Sequence, residues 1–387
     1  MVLRLIGRIN IECSLFVIPS VFLLFLATMK RKYRPVLITA LLAIALLIHF
    51  FSGDPQRVEG YYSTGIYMYI STGMRFLFGW LPFSLGDLLY GFFISWIGWR
   101  IVKGVKLLFT KRLSKPALTH FLIRIFIQAL FIYIFFNLFW GINYNRKGIA
   151  SQLGLQMAKY SPTELVEING VLLKKVNESR KALLPEDSGH IRNKQIFKGA
   201  LDAYKELNKQ YVFLQYYPTS VKSSIWGWLG NYTGFLGYYN PFTGEAQVNT
   251  TVPKFSQPYT TCHEIAHQLG YAKENEANFV GYLAAAASRD TFFHYSVYLD
   301  LFLYADRNLF SADSAAAKSF AKQLIPEVKA DLKEWSDFND RHRNPAEPVI
   351  RWMYGKYLQS NQQPLGVLSY DEVTGFLIAY YKKYGRL

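Results

Sequence analysis

The sequence contains little cysteine and, for its length, little charge. Only two of its 387 residues are cysteine, which excludes a fold held together by several disulfide bonds. Charged residues make up 18% of the chain, whereas soluble domains usually carry about 25%. Hydrophobic residues reach 51%, and this content excludes an intrinsically disordered protein. The apolar excess must therefore be concentrated in particular segments.

Four apolar runs precede residue 143 and predict a membrane region. A helix that spans a bilayer requires about 20 apolar residues, with a lower limit near 17. The predicted spans cover residues 11–29, 36–52, 81–102 and 122–142. A cleaved signal peptide would account for one such run but not for four. We therefore expect residues 1–142 to form a four-helix transmembrane region.

The loops between these runs predict how the membrane region is oriented. Most of the basic residues before residue 143 lie in two short loops, between the first and second runs and between the third and fourth. Because positively charged loops stay in the cytoplasm, the N-terminus and everything after residue 142 are predicted to lie outside. We expect these loops to bind anionic lipid head groups. Nucleic acid is not an expected partner, despite a net charge of +16, because no basic stripe with interleaved aromatic residues lies outside the loops.

Residues 143–387 form a more polar, tyrosine-rich unit of ordinary domain size. Apolar residues at helical spacing predict helices over Ser161–Leu183 and Lys194–Gln210. The segment Gly237–Asn249 predicts two short strands around a Pro/Gly turn. After Tyr259 the pattern is helical to the end of the chain. The expected fold is therefore mainly α, with the membrane helices followed by a mostly helical α+β domain that contains a small β-hairpin.

One segment of the outer domain carries the pattern of a zinc hydrolase site. His263 and His267 are four residues apart, which places both imidazoles on one face of a helix. Two imidazoles at this spacing can bind one Zn²⁺ ion. Glu264 is rotated by about 100° from His263 around the helix, so it can act as a general base on a water molecule held by that ion. The helix is expected to begin near Thr260 or Thr261, with a threonine as its N-cap.

A second helix is expected to supply the third zinc ligand. Gly270 ends the first helix, and the sequence that follows predicts a second helix returning beside the histidines. Glu274 and Glu276 are both placed to supply a carboxylate. The spacing favours Glu274, because Asn278 shares its helix face and can orient it or bind a ligand histidine. Glu276 stays open as the alternative.

The motif His263-Glu-x-x-His267 followed by Glu274-x-x-Ala277-Asn278 resembles the zincin peptidases of the glutamate-ligand type. In those peptidases the second helix carries Glu-x-x-Ala-Asp/Asn, and its glutamate is the third zinc ligand. The resemblance implies that His263, His267 and Glu274 are the metal ligands. It also implies that Glu264 is the catalytic base.

Further motifs resemble those of an uncharacterised bacterial membrane family, domain of unknown function 3810. They are the four-span N-terminus, Pro82-Phe-Ser-Leu-Gly-Asp87, Trp140-Gly-x-Asn-Tyr144, Pro241-Phe-Thr-Gly-Glu245 and the His-Glu hairpin. Together they extend over most of the chain. This resemblance implies a protein of the bacterial cell membrane with a zinc-peptidase-like outer domain, and it does not indicate a substrate.

The predicted hairpin has a candidate role in substrate binding. In zincin-type peptidases an edge strand lies above the active-site helix and holds the substrate backbone as an added strand. The candidate edge strand here consists of Glu245, Ala246, Gln247, Val248 and Asn249, and a purely structural hairpin is the alternative. Nearby aromatic residues are expected to lie at the membrane interface, with a cleft lining as the alternative. They are Trp226, Trp228, Tyr232, Tyr238 and Tyr239.

These observations predict an integral membrane, zinc-dependent metallopeptidase that hydrolyses peptide bonds on the outer side of the membrane. Peptide hydrolysis, rather than another hydrolysis, is implied by the zincin resemblance alone. The expected cofactor is Zn²⁺, and the expected partners are a peptide or protein substrate and membrane lipids. The alternative is a non-catalytic zincin-like membrane protein that binds peptide or cell-envelope material.

Overall fold

The computed structural model describes residues 33–109, 115–183 and 191–387, and the protein is mainly helical, as the sequence predicts. The helices of the N-terminal part are α1 (Arg34–Ser52), α2 (Pro55–Arg57), α3 (Tyr67–Phe78), α4 (Leu85–Phe109) and α5 (Lys115–Phe139). A π-helix, Val58–Ile66, connects α2 to α3.

Three helices in the described part of the chain, α1, α4 and α5, are long and apolar enough to cross a membrane by length and composition. They correspond to the second, third and fourth predicted spans, whereas the first, residues 11–29, lies outside the described residues. The structure begins the third span at Leu85, four residues later than predicted. It ends the fourth at Phe139, because a 3₁₀ turn, Gly141–Asn145, follows directly.

The C-terminal part continues with eleven further helices within residues 148–387, of which residues 184–190 are not described. They are α6 (Gly148–Gln152), α7 (Pro162–Ala182), α8 (Asn193–Gln210), α9 (Gly227–Thr233), α10 (Gln257–Gln268), α11 (Glu274–Ala287), α12 (Thr291–Ala312), α13 (Ser314–Gln323), α14 (Pro326–His342), α15 (Glu347–Ser360) and α16 (Val373–Tyr384). The two helices predicted before the hairpin are confirmed as α7 and α8. A capping box between Ser161 and Glu164, a pattern typical of a helix start, precedes α7.

A three-stranded sheet precedes the helix that carries the two histidines. Its strands are β1 (Val221–Ser223), β2 (Gly237–Asn240) and β3 (Glu245–Val248). The predicted hairpin is confirmed, because β2 pairs with β3 in antiparallel register from Gly237↔Val248 to Asn240↔Glu245. The sheet order is β1-β3-β2, with β1 parallel to β3, so β3 is the central strand. The prediction that β3 is an edge strand is therefore wrong, since β1 occupies its second edge.

The chain forms two compact units. The smaller unit comprises the described residues up to Phe50 together with Arg100–Asn137, and the larger unit comprises Phe51–Trp99 and Leu138–Leu387. The first half of α4 and all of α2 and α3 thus belong to the same unit as the predicted outer domain. The sequence predicts a division after residue 142 between a membrane region and an outer domain. The two compact units do not show where a membrane lies, so this division stays a prediction.

The core of the larger unit surrounds α10. Every residue of this helix is buried. It packs on α11, α8, α12 and strands β2 and β3. Cys262, the residue before His263, is fully buried, and the Tyr204 hydroxyl group donates a hydrogen bond of 2.8 Å to its carbonyl oxygen. The histidine motif therefore lies on a rigid central element of the fold.

Candidate metal and catalytic site

The site is built on α10, which begins one turn earlier than predicted. The helix begins at Gln257, because a 3₁₀ turn, Lys254–Ser256, leads directly into it. Pro258 fits within the first turn, where its missing N–H group would have no helical acceptor. His263 and His267 follow on one face of the last two turns.

A sharp reversal then brings α11 against α10. Gly270 adopts a left-handed conformation, with φ of +90°, a conformation that glycine accepts readily. Gly281 allows the two helices to approach closely, because an added Cβ atom there would lie 3.0 Å from the backbone nitrogen of His263. The first turn of α11 therefore lies beside the histidines, as the sequence predicts.

Three side chains converge at this reversal. The Oε2 atom of Glu274 lies 3.3 Å from Nε2 of His263 and 3.5 Å from Nε2 of His267. All three residues are buried, and one ligand atom from each lies within 4.8 Å of the other two. The structure thus brings together the three residues that the sequence favours as metal ligands.

Glu276, the alternative third ligand, points elsewhere. Its carboxylate packs against Gly148, at the start of α6. Burial raises the pKa of Glu276, although the charges of Lys273 and Arg146 oppose this shift. The two glutamates are two positions apart on α11, so their side chains leave the helix in different directions. Only Glu274 therefore faces the histidines.

Neighbouring groups fix the orientation of the three side chains. The Nδ1 atom of His267 lies 2.8 Å from the carbonyl oxygen of Tyr271, so a neutral imidazole donates from Nδ1 and leaves Nε2 unprotonated. The Asn278 side-chain amide donates a hydrogen bond of 3.3 Å to the carbonyl oxygen of Tyr370, and its interaction with the imidazole acts to raise the pKa of His263. The hydroxyl group of Tyr354 donates a hydrogen bond of 2.9 Å to Oε1 of Glu274, which leaves Oε2 facing the imidazoles.

Glu264 lies next to this triad and next to the sheet. Its carboxylate approaches Gly237 of β2 so closely that an added Cβ atom there would lie 2.7 Å from Oε1. The Oε2 atom is buried and has no hydrogen-bond partner. Burial raises the pKa of Glu264 to about 8, a shift that the charge of His267 reduces and that of Glu274 increases. A carboxylate placed in this way can accept a proton.

The charges of the triad influence one another strongly. Burial lowers the pKa of His263, and the Glu274 carboxylate only partly opposes this shift. Burial also acts to lower the pKa of His267, but the Glu274 carboxylate outweighs this effect and raises the pKa to about 9. Burial alone would raise the pKa of Glu274, yet the two imidazoles hold it well below its usual range. These interactions favour the anionic form of Glu274, which suits a residue that binds a cation.

A cavity of about 790 Å³ opens beside these residues. Its wall includes the triad, Glu264, Asn278 and the segment Thr233–Tyr239, which ends in β2. None of the five residues predicted to form the substrate edge strand lines it, because Glu245, Ala246, Gln247 and Val248 are buried in the central strand and Asn249 hydrogen-bonds Asn231. The strand that does line the cavity is β2, which has β3 as its only strand partner among the described residues.

The aromatic residues near the hairpin divide between two environments. Tyr238 and Tyr239 line the cavity, whereas Trp228 is 55% exposed and Trp226 and Tyr232 are partly exposed. The cleft alternative thus holds for Tyr238 and Tyr239, whereas the membrane-interface position of the other three stays a prediction.

Two aromatic rings that the sequence did not single out as ligand neighbours contact the histidines. The ring of Trp140 packs edge to face on His267 with 5.8 Å between centroids. The ring of Tyr370 lies nearly parallel to His263, 6.2 Å away. Trp140 belongs to the Trp-Gly-x-Asn-Tyr motif, so the sequence contained a signal for this residue. The spacing of Tyr370 and Tyr354 does not distinguish them from the other tyrosines. Sequence reasoning therefore missed the aromatic shell of the site.

The C-terminal end of α10 is completed by residues from α3. The carbonyl oxygen of Gln268 accepts hydrogen bonds from Ser71 at 2.6 Å and from Tyr67 at 3.2 Å. The Arg75 guanidinium group reaches the same oxygen at 3.3 Å, where a positive charge is favourable at a helix C-terminus. The end of the histidine helix is thus fixed by a segment nearly 200 residues earlier in the chain.

The donor set and its spacing fit a zinc ion. Zinc accepts two imidazole nitrogen atoms and one carboxylate oxygen at about 2.0–2.2 Å, and tetrahedral geometry then separates neighbouring donors by about 3.3–3.5 Å. The separations from Glu274 to His263 and His267, 3.3 and 3.5 Å, match this requirement. Hydrolytic zinc sites use three protein donors and keep one position for water or substrate, and the three side chains of the triad line the cavity.

Comparison with other proteins gives a family but no function. No functionally curated protein and no solved structure matches the chain. A family model described as a protein of unknown function, DUF3810, matches residues 62–378, a range that contains α3, the sheet and the complete triad. This match extends over most of the chain, and the protein therefore belongs to the DUF3810 family.

Proposed function

We propose that this protein is a membrane-anchored, zinc-dependent metallopeptidase of the zincin type that hydrolyses peptide bonds on the outer side of the membrane. The observation that carries the proposal is the convergence of His263, His267 and Glu274 beside the buried, unpartnered carboxylate of Glu264. A hydrolytic metal site requires a general base beside the metal ligands, and Glu264 lines the same cavity as the triad, which supports this role. The three apolar helices support the membrane anchor by their length and composition.

The proposed roles follow from the positions of the side chains. His263, His267 and Glu274 would hold the ion, and zinc would supply a Lewis acid for the scissile carbonyl group and a lowered pKa for a bound water molecule. The Oε2 atom of Glu264 would accept the proton of the attacking water. The same carboxyl group would then donate that proton to the leaving amine.

The substrate backbone would bind along β2. An extended peptide can add a strand to a free sheet edge through main-chain hydrogen bonds. Gly237 places the backbone of β2 against the Glu264 carboxylate, with no side chain between them. A peptide paired with β2 would therefore carry its backbone close to the proposed base.

The test compares the full-length wild type with Glu264→Gln, both purified in detergent without chelators. Zinc content is measured by mass spectrometry, and cleavage is measured on a diverse synthetic peptide library. We expect about one zinc ion per chain in both proteins, because Glu264 is not a ligand. Peptide cleavage should fall by about 10²–10⁴-fold in Glu264→Gln, the usual effect of losing a general base.

Glu327→Gln is the matched control, because Glu327 is an exposed carboxylate in the first turn of α14 and does not line the cavity. Its cleavage rate should stay within about twofold of the wild type. A wild-type protein without zinc contradicts the proposal. Zinc-bound protein whose cleavage is unaffected by Glu264→Gln contradicts the catalytic role and favours a peptide-binding function.

A further inference from the structure

The candidate site lies at the ends of two apolar helices. Trp140 directly follows Phe139, the last residue of α5, and its ring packs on His267. Tyr144, four residues later, lines the cavity, and its hydroxyl group lies 3.2 Å from that of Tyr357, which also lines the cavity. The chain therefore passes from an apolar helix into the metal site within one residue.

The beginning of α4 is connected to the same cavity. The Asp87 carboxylate, in the first turn of α4, accepts hydrogen bonds from the hydroxyl group of Tyr238 on β2 and from the backbone N–H of Ile225. One turn further into the helix, the ring of Tyr90 packs on that of Tyr238 with 5.6 Å between centroids. The candidate substrate strand is thus attached to the first two turns of an apolar helix.

The central strand reinforces this attachment. The first N–H groups of a helix have no helical acceptor. In α4 the Glu245 carboxylate of β3 accepts them, from Leu85 at 3.1 Å and from Gly86 at 2.6 Å. Lys222 of β1 lies 3.5 Å from the same carboxylate. All three strands are therefore fixed at the helix start, and with a rise of 1.5 Å per residue Tyr90 lies only about 8 Å along the axis from Leu85.

Exposed tryptophans lie on or next to helices that contribute to the cavity wall. Trp226 donates from Nε1 to the carbonyl oxygen of Asp87 and is 37% exposed, and Trp228 on α9 is 55% exposed. Trp352 is 63% exposed on α15, the helix that also contributes Tyr354 to the cavity wall. Tryptophan is enriched where proteins meet the membrane–water interface. These positions agree with a cavity at the bilayer surface.

We propose that the natural substrates are polypeptides anchored in the same bilayer and that they are cleaved close to the membrane surface. The inference rests on the proposed peptidase function and specifies its substrate class. The part of an anchored substrate that directly follows its membrane segment would lie at the level of β2. More distant parts of the same substrate would reach this strand only if the substrate folded back. Anchoring in one membrane also raises the effective concentration of the adjacent segment at the site.

The experiment measures where an anchored chain is cut. Full-length protein is reconstituted in liposomes with a synthetic polypeptide that has one apolar spanning helix followed by an unstructured polar tail. The tail repeats the sequence that the wild type cleaves in the peptide library, so chemically identical bonds differ only in their distance from the membrane. A second polypeptide has the same tail without the helix. Products are mapped by mass spectrometry.

We expect the repeats nearest the anchor to be cut at least about tenfold more often than the distal repeats. The soluble tail should be cut evenly, which shows that all repeats are equivalent. Even cutting of the anchored tail, or a preference for distal repeats, overturns the inference and leaves the peptidase proposal intact. If the wild type cleaves neither polypeptide nor the library above the level of Glu264→Gln, the peptidase proposal fails, and the inference fails with it.

Discussion

The hydroxyl group of Tyr354 donates a hydrogen bond of 2.9 Å to Oε1 of Glu274, although α15 lies some 80 residues after the glutamate. The backbone N–H of Glu274 donates to Gln363 at 2.9 Å. These contacts hold the carboxylate so that Oε2 faces the two imidazoles. The third ligand of the proposed site is therefore oriented by the C-terminal helices and not by its own helix alone.

We expect Tyr354→Phe to lower the zinc affinity by about 10–100-fold, the usual effect of removing a hydrogen bond that orients a metal ligand. The affinity is measured by competition with a chromophoric chelator. Tyr357→Phe is the control, because the Tyr357 hydroxyl group pairs with Tyr144 and not with Glu274. Equal affinities for the two variants would show that Tyr354 does not orient the ligand.

The two neighbouring glutamates provide a second comparison. Glu274→Gln should weaken zinc binding by more than about 100-fold, because it removes a ligand and not only a partner of one. Glu276→Gln should bind zinc like the wild type, since its carboxylate packs against Gly148. Both are measured by metal analysis after dialysis against a weak chelator. The reverse order of affinities would assign the third ligand to Glu276.

A buried ion pair joins the π-helix to the turn that precedes α11. Arg146 donates to both oxygen atoms of Glu59, at 2.6 and 3.0 Å, and also donates to the carbonyl oxygen of Gly270 at 3.1 Å. Arg146→Met should lower the free energy of unfolding by about 3–5 kcal/mol, because it leaves a buried carboxylate without its partner. The double variant Glu59→Gln/Arg146→Met should lose less free energy of unfolding than Arg146→Met alone. A double variant that is less stable than Arg146→Met contradicts this expectation.

The same pair predicts a dependence of stability on acid. Burial acts to raise the pKa of Glu59, but the hydrogen bonds and charge of Arg146 outweigh it, and the pKa lies below its ordinary value. The pair should therefore contribute its full stabilisation above the pKa of an unfolded glutamate, about 4.3, and lose it as the pH falls through the lower folded value. Thermal unfolding between neutral and acidic pH should show this loss in the wild type. The double variant Glu59→Gln/Arg146→Met should not show this acid-dependent loss of stability.

Gly281→Ala should lower the free energy of unfolding by about 1–3 kcal/mol, because the added methyl group meets the backbone of His263 and separates α10 from α11. Zinc affinity should fall in the same variant. Gly355→Ala is the control, since its methyl group would meet only the Val367 side chain at 3.7 Å. This control should be neutral or slightly stabilising, as alanine favours a helix. Equal stability of both variants would exclude a close-packing requirement at Gly281.

Predictions from local patterns were correct for features that depend on only a few neighbouring residues. The spacing of His263 and His267 requires only one helical face, and the capping box at Ser161 requires only four residues. The edge-strand prediction for Glu245–Asn249 failed because strand order depends on β1, which joins the sheet from an earlier segment. The predicted start of α10 failed because the 3₁₀ turn before it has no distinct sequence signal.

The sequence by itself determined the apolar helices, the hairpin and the pairing of two histidines with a glutamate, because each depends on periodicity within a few residues. Tertiary structure alone decided that Glu274 and not Glu276 faces the histidines, since the angle between α10 and α11 depends on close packing at Gly281. It also decided that β2 lines the cavity and that Tyr354 and Trp140 border the triad. Such contacts join residues far apart in the chain, and local spacing carries no information about them.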